Sequence, residues 1–249
     1  MIHGSYRTDV GRVRDNNEDA VFVSDSPVGC LPNLYVVADG MGGHSAGEVA
    51  SGKSVEFFIE SLGGEDGGIP QAMLRGVRAA NAGVYSLAGQ SPGMFGMGTT
   101  FSAVCVDGDL RMFAAHVGDS RVYVAAPEGI RQITKDHTYV GEMRRRGEIT
   151  AVEERTHPRR NLLLKALGTE PDVEPDLEIE SLRESDVIVV CSDGLSEMVR
   201  DEDIWLSARD AANPPLNRAE CLVALANARG GVDNISVIVI DLRQGVTDE

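Results

Sequence analysis

The sequence predicts an α+β fold built as layers of antiparallel sheet and helix, and three observations carry that prediction. Many short, β-branched apolar runs occur along the chain. Several follow one another through tight turns, whereas a doubly wound parallel sheet needs a helical crossover after each strand. The amphipathic helical patterns sit in separate groups and do not alternate with the strands one for one.

In chain order, AVFVS (20–24) and LYVVA (34–38) read as the first strands. A helix is expected over 46–62, with Val49, Phe57, Phe58 and Leu62 on one stripe. A second is expected over 71–87, carrying Met73, Leu74, Val77, Val84 and Leu87, with a loop at 63–68 between the two. TTFSAVCV (99–106) and LRMFAAHV (110–117) flank Asp-Gly-Asp at 107–109, a hairpin signature. RVYVAA (121–126), DVIVVCS (186–192) and ISVIVIDL (235–242) complete the strands, with a helix over 218–228 before the last. Residues 134–180 are charged, with Arg144, Arg145 and Arg146 consecutive, and contain Pro158, Pro171 and Pro175. They read as a flap within a single domain spanning 1–249.

Composition narrows the function. The 39 acidic against 23 basic residues give a net charge of −16, which argues against nucleic acid as a partner, because that contact needs a basic surface. No apolar run approaches the ~20 residues that cross a bilayer, and MIHGSYRTD lacks the apolar core of a secretion signal. Cys30, Cys105, Cys191 and Cys221 form no CxxC pair, and two of them lie in apolar runs. Buried reduced thiols and a cytoplasmic protein are the expectation.

Four acids share one local design. Asp39-Gly40 follows LYVVA, Asp119 follows FAAHVG, Asp193-Gly194 follows VIVVCS, and Asp233-Asn234 leads into ISVIVI. Each lies where an apolar strand is expected to meet a turn. Carboxylates converging at strand ends would repel, by about 4 kcal/mol for a pair ~4 Å apart at an effective dielectric near 20. Hard divalent cations such as Mg2+ or Mn2+, which prefer oxygen ligands, would make such a cluster tolerable. Ordinary turn chemistry accounts for any one of these acids alone; four in the same setting point to a site. Arg14, with its planar donor fork suited to phosphate, stands four residues before Glu18 in RDNNEDA.

At this point the chain resembles the PPM family of metal-dependent Ser/Thr protein phosphatases (type 2C), in its compact bacterial form. The resemblance rests on RDNNEDA (14–20), VVADGMGGHSAGEVAS (36–51), MGTT (97–100), AHVGDSR (115–121), KDHT (135–138), KALG (165–168), VVCSDGL (189–195) and GGVDNISVIVI (230–240). These occur in family order and span nearly the whole chain. The resemblance implies a four-layer αββα sandwich with a binuclear Mn2+ or Mg2+ centre at one edge of the sheets. It implies that Asp39 bridges the ions, that the Gly40 carbonyl ligates one, and that Asp193 and Asp233 bind the first. Glu18 would lie near the second ion, and Asp119 with Asp193 would hold a weaker third. Arg14 would grip the substrate phosphate and His44 would act as general acid. The implied reaction is hydrolysis of phosphoserine or phosphothreonine in proteins by a hydroxide bridging the metals, with no covalent phosphoenzyme. A bacterial Ser/Thr kinase and its targets are the implied partners, and a monomer is expected. KALG places Lys165 where many relatives would carry Arg.

Three other patterns compete. Residues 47–54 fit a Walker A motif letter for letter, but they fall inside the helix expected over 46–62, where N–H groups are already bonded. Cys105 and Arg111 fit the C-x5-R motif of thiol phosphatases, yet the acids between them would repel phosphate. Asp107 could be an aspartyl nucleophile of dehalogenase type, but another strand follows it, not a loop and helix. A pseudophosphatase would have lost metal ligands, and Asp39, Asp193 and Asp233 are all present.

Overall fold

Successive side chains of a strand point to opposite faces, so a strand apolar at every position must be covered on both sides. The long runs of this chain are in that situation. The computed structural model describes residues 2–42, 46–63, 67–210 and 212–242. It is a four-layer αββα sandwich of two antiparallel sheets.

The first sheet has the order β1 (His3–Asp9), β11 (Ile235–Asp241), β10 (Val187–Cys191), β7 (Arg121–Ala126) and β8 (Gly129–Gln132). The second runs β2 (Asp19–Ser24), β3 (Leu34–Met41), β5 (Phe101–Val106), β6 (Arg111–Val117) and β9 (Asp176–Ser181), with the short β4 (Gly98–Thr99) on the end of β3. Alternation sorts the side chains into layers. Tyr35, Val37, Val104 and Met112 meet Val122, Val124, Ile188, Val190, Ile238 and Ile240 between the sheets. Their neighbours Val36, Ala38, Phe101 and Cys105 face outward onto α1 (Ala46–Glu60) and α2 (Gly68–Ala88). On the opposite side, Val187, Val189, Val237 and Val239 pack against α5 (Asp193–Ser196), α6 (Asp201–Ala208) and α7 (Pro215–Ala228).

The helices over 46–62 and 71–87 are present as α1 and α2, and the hairpin at Asp107 is present with Leu110 in the left-handed region, φ 57°. Three features differ from expectation. Asp39-Gly40 is not a turn: β3 runs through to Met41, with Asp39 opposite Asp19 and Gly40 opposite Thr99. Asp193 opens the short helix α5. Cys105 and Cys191 are buried, but Cys30 and Cys221 are exposed, and all four are free thiols.

The segment from 134 leaves the first sheet after β8. It carries α3 (Tyr139–Arg145), capped by Thr138, and α4 (Ala151–Thr156), begun by a Thr150–Glu153 capping box. It returns as β9, the outer strand of the second sheet.

Candidate metal centre

Antiparallel pairing brings the ends of distant strands together. Asp19 begins β2 and Asp39 lies near the end of β3; the two are register partners. Asp119 sits in the turn between β6 and β7, Asp193 follows β10, and Asp233 precedes β11. All five lie at one end of the sandwich. A cleft of about 230 Å3 opens there, lined by Arg14, Glu18, Asp39, Gly40, Asp119, Asp193 and Asp233, together with Thr100, Asn161, Leu163 and Asn234. Every candidate site residue named from the sequence borders it, except His44, which lies outside the described residues.

Backbone contacts hold these groups in place. The Asp39 N–H donates to Thr100 Oγ1 at 2.9 Å, and the Asp39 carbonyl accepts from Thr100 N at 2.9 Å. Gly40 N donates to the Glu18 carbonyl at 3.1 Å. A side chain is excluded at Gly40, because a Cβ there would lie 2.1 Å from the Gly47 carbonyl oxygen; α1 crosses the strand at that point. Asn234 ties the N-terminal loop to the Asp233 turn. Its Oδ1 accepts from Glu18 N at 2.8 Å, and its Nδ2 donates to the Val10 and Asn16 carbonyls. Arg14 Nη2 donates to Asp233 Oδ2 at 2.8 Å, so the guanidinium stands at the mouth of the cleft on one of the acids.

The electrostatics are those of crowded, half-buried anions. Burial, then repulsion from Asp19, Asp193, Asp119 and Asp233, holds the Asp39 carboxyl well above the usual range. Asp193 is raised in the same way by burial and by Asp119, Glu197, Asp233 and Asp19. Burial pushes Asp119 up to about 7 and Asp19 up to about 6. Burial also raises Glu18, against the pull of Arg14. Buried oxygens of Glu18 (Oε1), Asp19 (Oδ1) and Asp193 (Oδ1) have no hydrogen-bond partner. A buried acceptor without a donor costs stability, and carboxylate oxygens are the preferred ligands of Mg2+ and Mn2+. The donor set therefore fits a hard divalent cation. Among the described residues, no three His, Cys, Asp or Glu side chains are grouped closely enough to hold an ion as they stand. The acids share a cleft, not a single point, a spread that suits cations bound through one or two carboxylates and several waters.

The reading of the sequence passed over Asp19, Asn161, Leu163 and Asn234. Asp19 had a signal in the sequence, since it stands beside Glu18 at the start of an apolar strand; in the structure it accepts from Ser192 Oγ at 2.8 Å. Asn161 and Leu163 come from the 134–180 segment, whose path over the cleft has no local signature. Lys165 does not border the cleft; its Nζ lies 3.7 Å from Asp176 Oδ1 and donates to the Glu174 carbonyl. The competing motifs are structural. Lys53 pairs with Glu56 inside α1, Arg111 pairs with Asp107 in the hairpin, and burial pushes the Cys105 thiol up to about 12.

A model of the protein phosphatase 2C family matches residues 12–227. The Ser/Thr protein phosphatase PstP of Mycobacterium tuberculosis is 40% identical over 245 residues, covering 97% of this chain and 45% of PstP, so the chain spans less than half the length of that relative. The Ser/Thr phosphatase stp of Listeria welshimeri is 36% identical over 250 residues, 96% of each chain. A crystal structure of the PstP catalytic domain with two manganese ions superposes with a TM-score of 0.82 at 36% identity, covering 96% of this chain and 97% of that one. Matched over most of its length in both sequence and fold, the chain belongs to the protein phosphatase 2C family.

Proposed function

We propose that this chain is a metal-dependent protein phosphatase that hydrolyses phosphoserine and phosphothreonine in proteins at the cleft bordered by Asp39, Asp193 and Asp233. The observation that carries the proposal is the convergence of five acids, Glu18, Asp39, Asp119, Asp193 and Asp233, from separate segments on one cleft, with buried oxygens that lack donors and an arginine at the mouth.

In this reading Asp39, Asp193, Asp233 and the Gly40 carbonyl hold two Mn2+ or Mg2+ ions, with Glu18 near the second and Asp119 with Asp193 at a weaker third. The ions, when bound, supply Lewis acidity that activates water and offsets phosphoryl charge. Asp39 and Asp193 stay ionised when a cation offsets the repulsion between them. Arg14 turns its fork from Asp233 to the phosphate oxygens, a bidentate contact that a lysine would not reproduce. His44 delivers a proton to the departing seryl or threonyl oxygen, a task suited to a group with pKa near ~6.5. The 134–180 segment forms a flap of a single domain and supplies Asn161 and Leu163 as one wall of the cleft. A cognate bacterial Ser/Thr kinase and its substrates are the proposed partners in a signalling role, with the enzyme acting as a cytoplasmic monomer. In support of a non-membrane setting, no described helix is long and apolar enough to cross a bilayer.

The test is turnover of a phosphothreonine peptide and of p-nitrophenyl phosphate with Mn2+, with Mg2+, and with EDTA. Activity in either metal that EDTA abolishes is expected, and activity undiminished in EDTA would refute the proposal. Lys53→Ala and Asp107→Asn are expected to retain activity; loss in Lys53→Ala with ATP turnover would favour a P-loop instead.

A further inference from the structure

His137 lies at the neck of the 134–180 segment, 5% exposed. Its backbone joins both sides of that neck: its N–H donates to the Gly118 carbonyl at 2.7 Å, and its carbonyl accepts from Leu164 N at 2.7 Å. Thr138 bridges to Leu163, and Tyr139 N donates to the Leu162 carbonyl at 2.8 Å. The ring then makes a contact of its own, with Nδ1 accepting from the Gly118 N–H at 3.1 Å. Gly118 is buried, has φ 111°, and is held from the far side as well: His116 Nε2 donates to its carbonyl at 2.9 Å. The next residue but one, Ser120, shares a 2.6 Å hydrogen bond with Thr100, which also accepts from Asp39 N. Asp119 is thus suspended between a Gly118 gripped by His137 and a Ser120 gripped by Thr100.

We propose that His137 is a positioning residue: with its backbone N–H already on the Gly118 carbonyl, ring Nδ1 completes a second contact that fixes the Gly118–Asp119 turn to the neck of the 134–180 segment, so that the Asp119 carboxylate and the Asn161–Leu163 wall of the cleft are set from one residue. This inference rests on the reading of Asp119 as an ion ligand. The tautomer follows from the contact. An Nδ1 that accepts from a backbone N–H leaves the ring proton on Nε2, which faces Asp176 Oδ2 at 3.4 Å. Burial lowers the His137 pKa and so keeps the Nδ1 lone pair available. Asp176 also stands 3.7 Å from Lys165, which ties the start of β9 to the same point. A purely space-filling role would need the ring, which packs at a tilt against His116 with centroids 5.0 Å apart, but not the nitrogen.

Two substitutions separate the possibilities. His137→Phe keeps a ring against His116 and removes the acceptor. His137→Asn removes the ring and keeps an acceptor at the Nδ1 position. Calorimetric titration of Mn2+ into the full chain is the readout, with Asp119→Asn as reference. Wild type is expected to show a weak Mn2+ site that Asp119→Asn removes. His137→Phe should weaken that site about tenfold or more, the range seen for partners that orient ligands, and leave the tighter sites intact. His137→Asn should stay within about twofold of wild type. The same order is expected in turnover of a phosphothreonine peptide relative to p-nitrophenyl phosphate, because a peptide entering the cleft would meet the Asn161 and Leu163 wall. If His137→Phe does not fold, His137→Leu, which fills space and carries no acceptor, takes its place with the same expectation. Mn2+ binding like wild type in the acceptor-less variant, or equal losses in it and His137→Asn, would overturn the inference. If Asp119→Asn leaves the weak site unchanged, the ligand role of Asp119 fails, and this inference with it.

Discussion

At the scale of single residues, charge dominates. Asp39 faces four other carboxylates and is half-buried among them. Asp39→Asn should cut phosphatase activity by about a hundredfold or more, since under the proposed function a ligand and not merely its support is lost. In EDTA the same variant should melt no lower than wild type, because one repelling charge is gone. A lower melting temperature in EDTA would mean that the carboxylate is structural. The raised carboxyls also fix a pH dependence. A group whose pKa is higher in the folded than in the unfolded state binds protons first in the folded state, so protonation favours the fold and stability falls as pH rises through the folded value. For Asp119, raised to about 7, with Asp39 and Asp193 raised in the same direction, metal-free protein should gain stability as pH drops from about 8 to 6.5. Below that, His116 opposes the trend. Burial lowers its pKa to about 4, so charging it favours the unfolded chain, by up to about 3 kcal/mol between its unfolded and folded values. Unfolding midpoints in EDTA from pH about 8 down to about 4 check both signs, and Mn2+ should remove the gain between pH about 8 and 6.5. His44→Ala should slow a phosphopeptide far more than p-nitrophenyl phosphate, whose leaving group needs little protonation; equal losses would remove the acid role.

Among the elements, the contact between β3 and α1 decides where the site can form. The buried face of α1 begins with Ala46, Gly47, Ala50 and Ser51, small enough for the helix to lie directly on Gly40 and Glu18. Gly40→Ala would place a carbon against backbone, which cannot yield as a side-chain tip can. A cost of about 1–3 kcal/mol is expected, with a fall of about 2–4 °C in melting temperature per kcal/mol for a chain of this size. A thermal melt checks it, and an unchanged midpoint would show that the two backbones separate freely. The legibility of the elements follows from burial. Strands covered on both faces, β3, β5, β6, β7, β10 and β11, stand out as apolar runs. The others do not. In β1, HGSYRTD, only Gly4 and Ser5 are buried. GIRQ of β8 has no buried residue, and DLEIES of β9 alternates acids with apolar residues at an edge. The short helices α3 to α6 offer too few turns for periodicity to show. At the site, the acids were legible because each adjoins a buried strand. Asp193 opening a helix, and Asn161 and Leu163 walling the cleft, were not, because tertiary packing alone places them.

For the whole molecule, the net charge of −16 sets the field that a substrate meets. A cleft of carboxylates in an acidic protein repels a phosphopeptide until cations occupy it, and the rest of the surface continues to repel at long range. Raising ionic strength from about 0.01 to 0.15 M shortens the screening length from about 30 to 8 Å. It should therefore raise kcat/KM for an acidic phosphopeptide and lower it for a basic one. Steady-state kinetics on two such peptides distinguish this from a uniform salt effect.

The sandwich brings Asp19 and Asp39 of β2 and β3, Asp193 after β10, Asp233 before β11 and Asp119 of the β6–β7 turn to one end, and the proposed function requires cations there. The most direct measurement is anomalous scattering at the manganese edge from crystals grown with Mn2+. Two strong peaks among Asp39, Gly40, Asp193 and Asp233 are predicted, with a weaker one beside Asp119. Manganese bound only elsewhere on the molecule, with those carboxylates facing solvent, would contradict it.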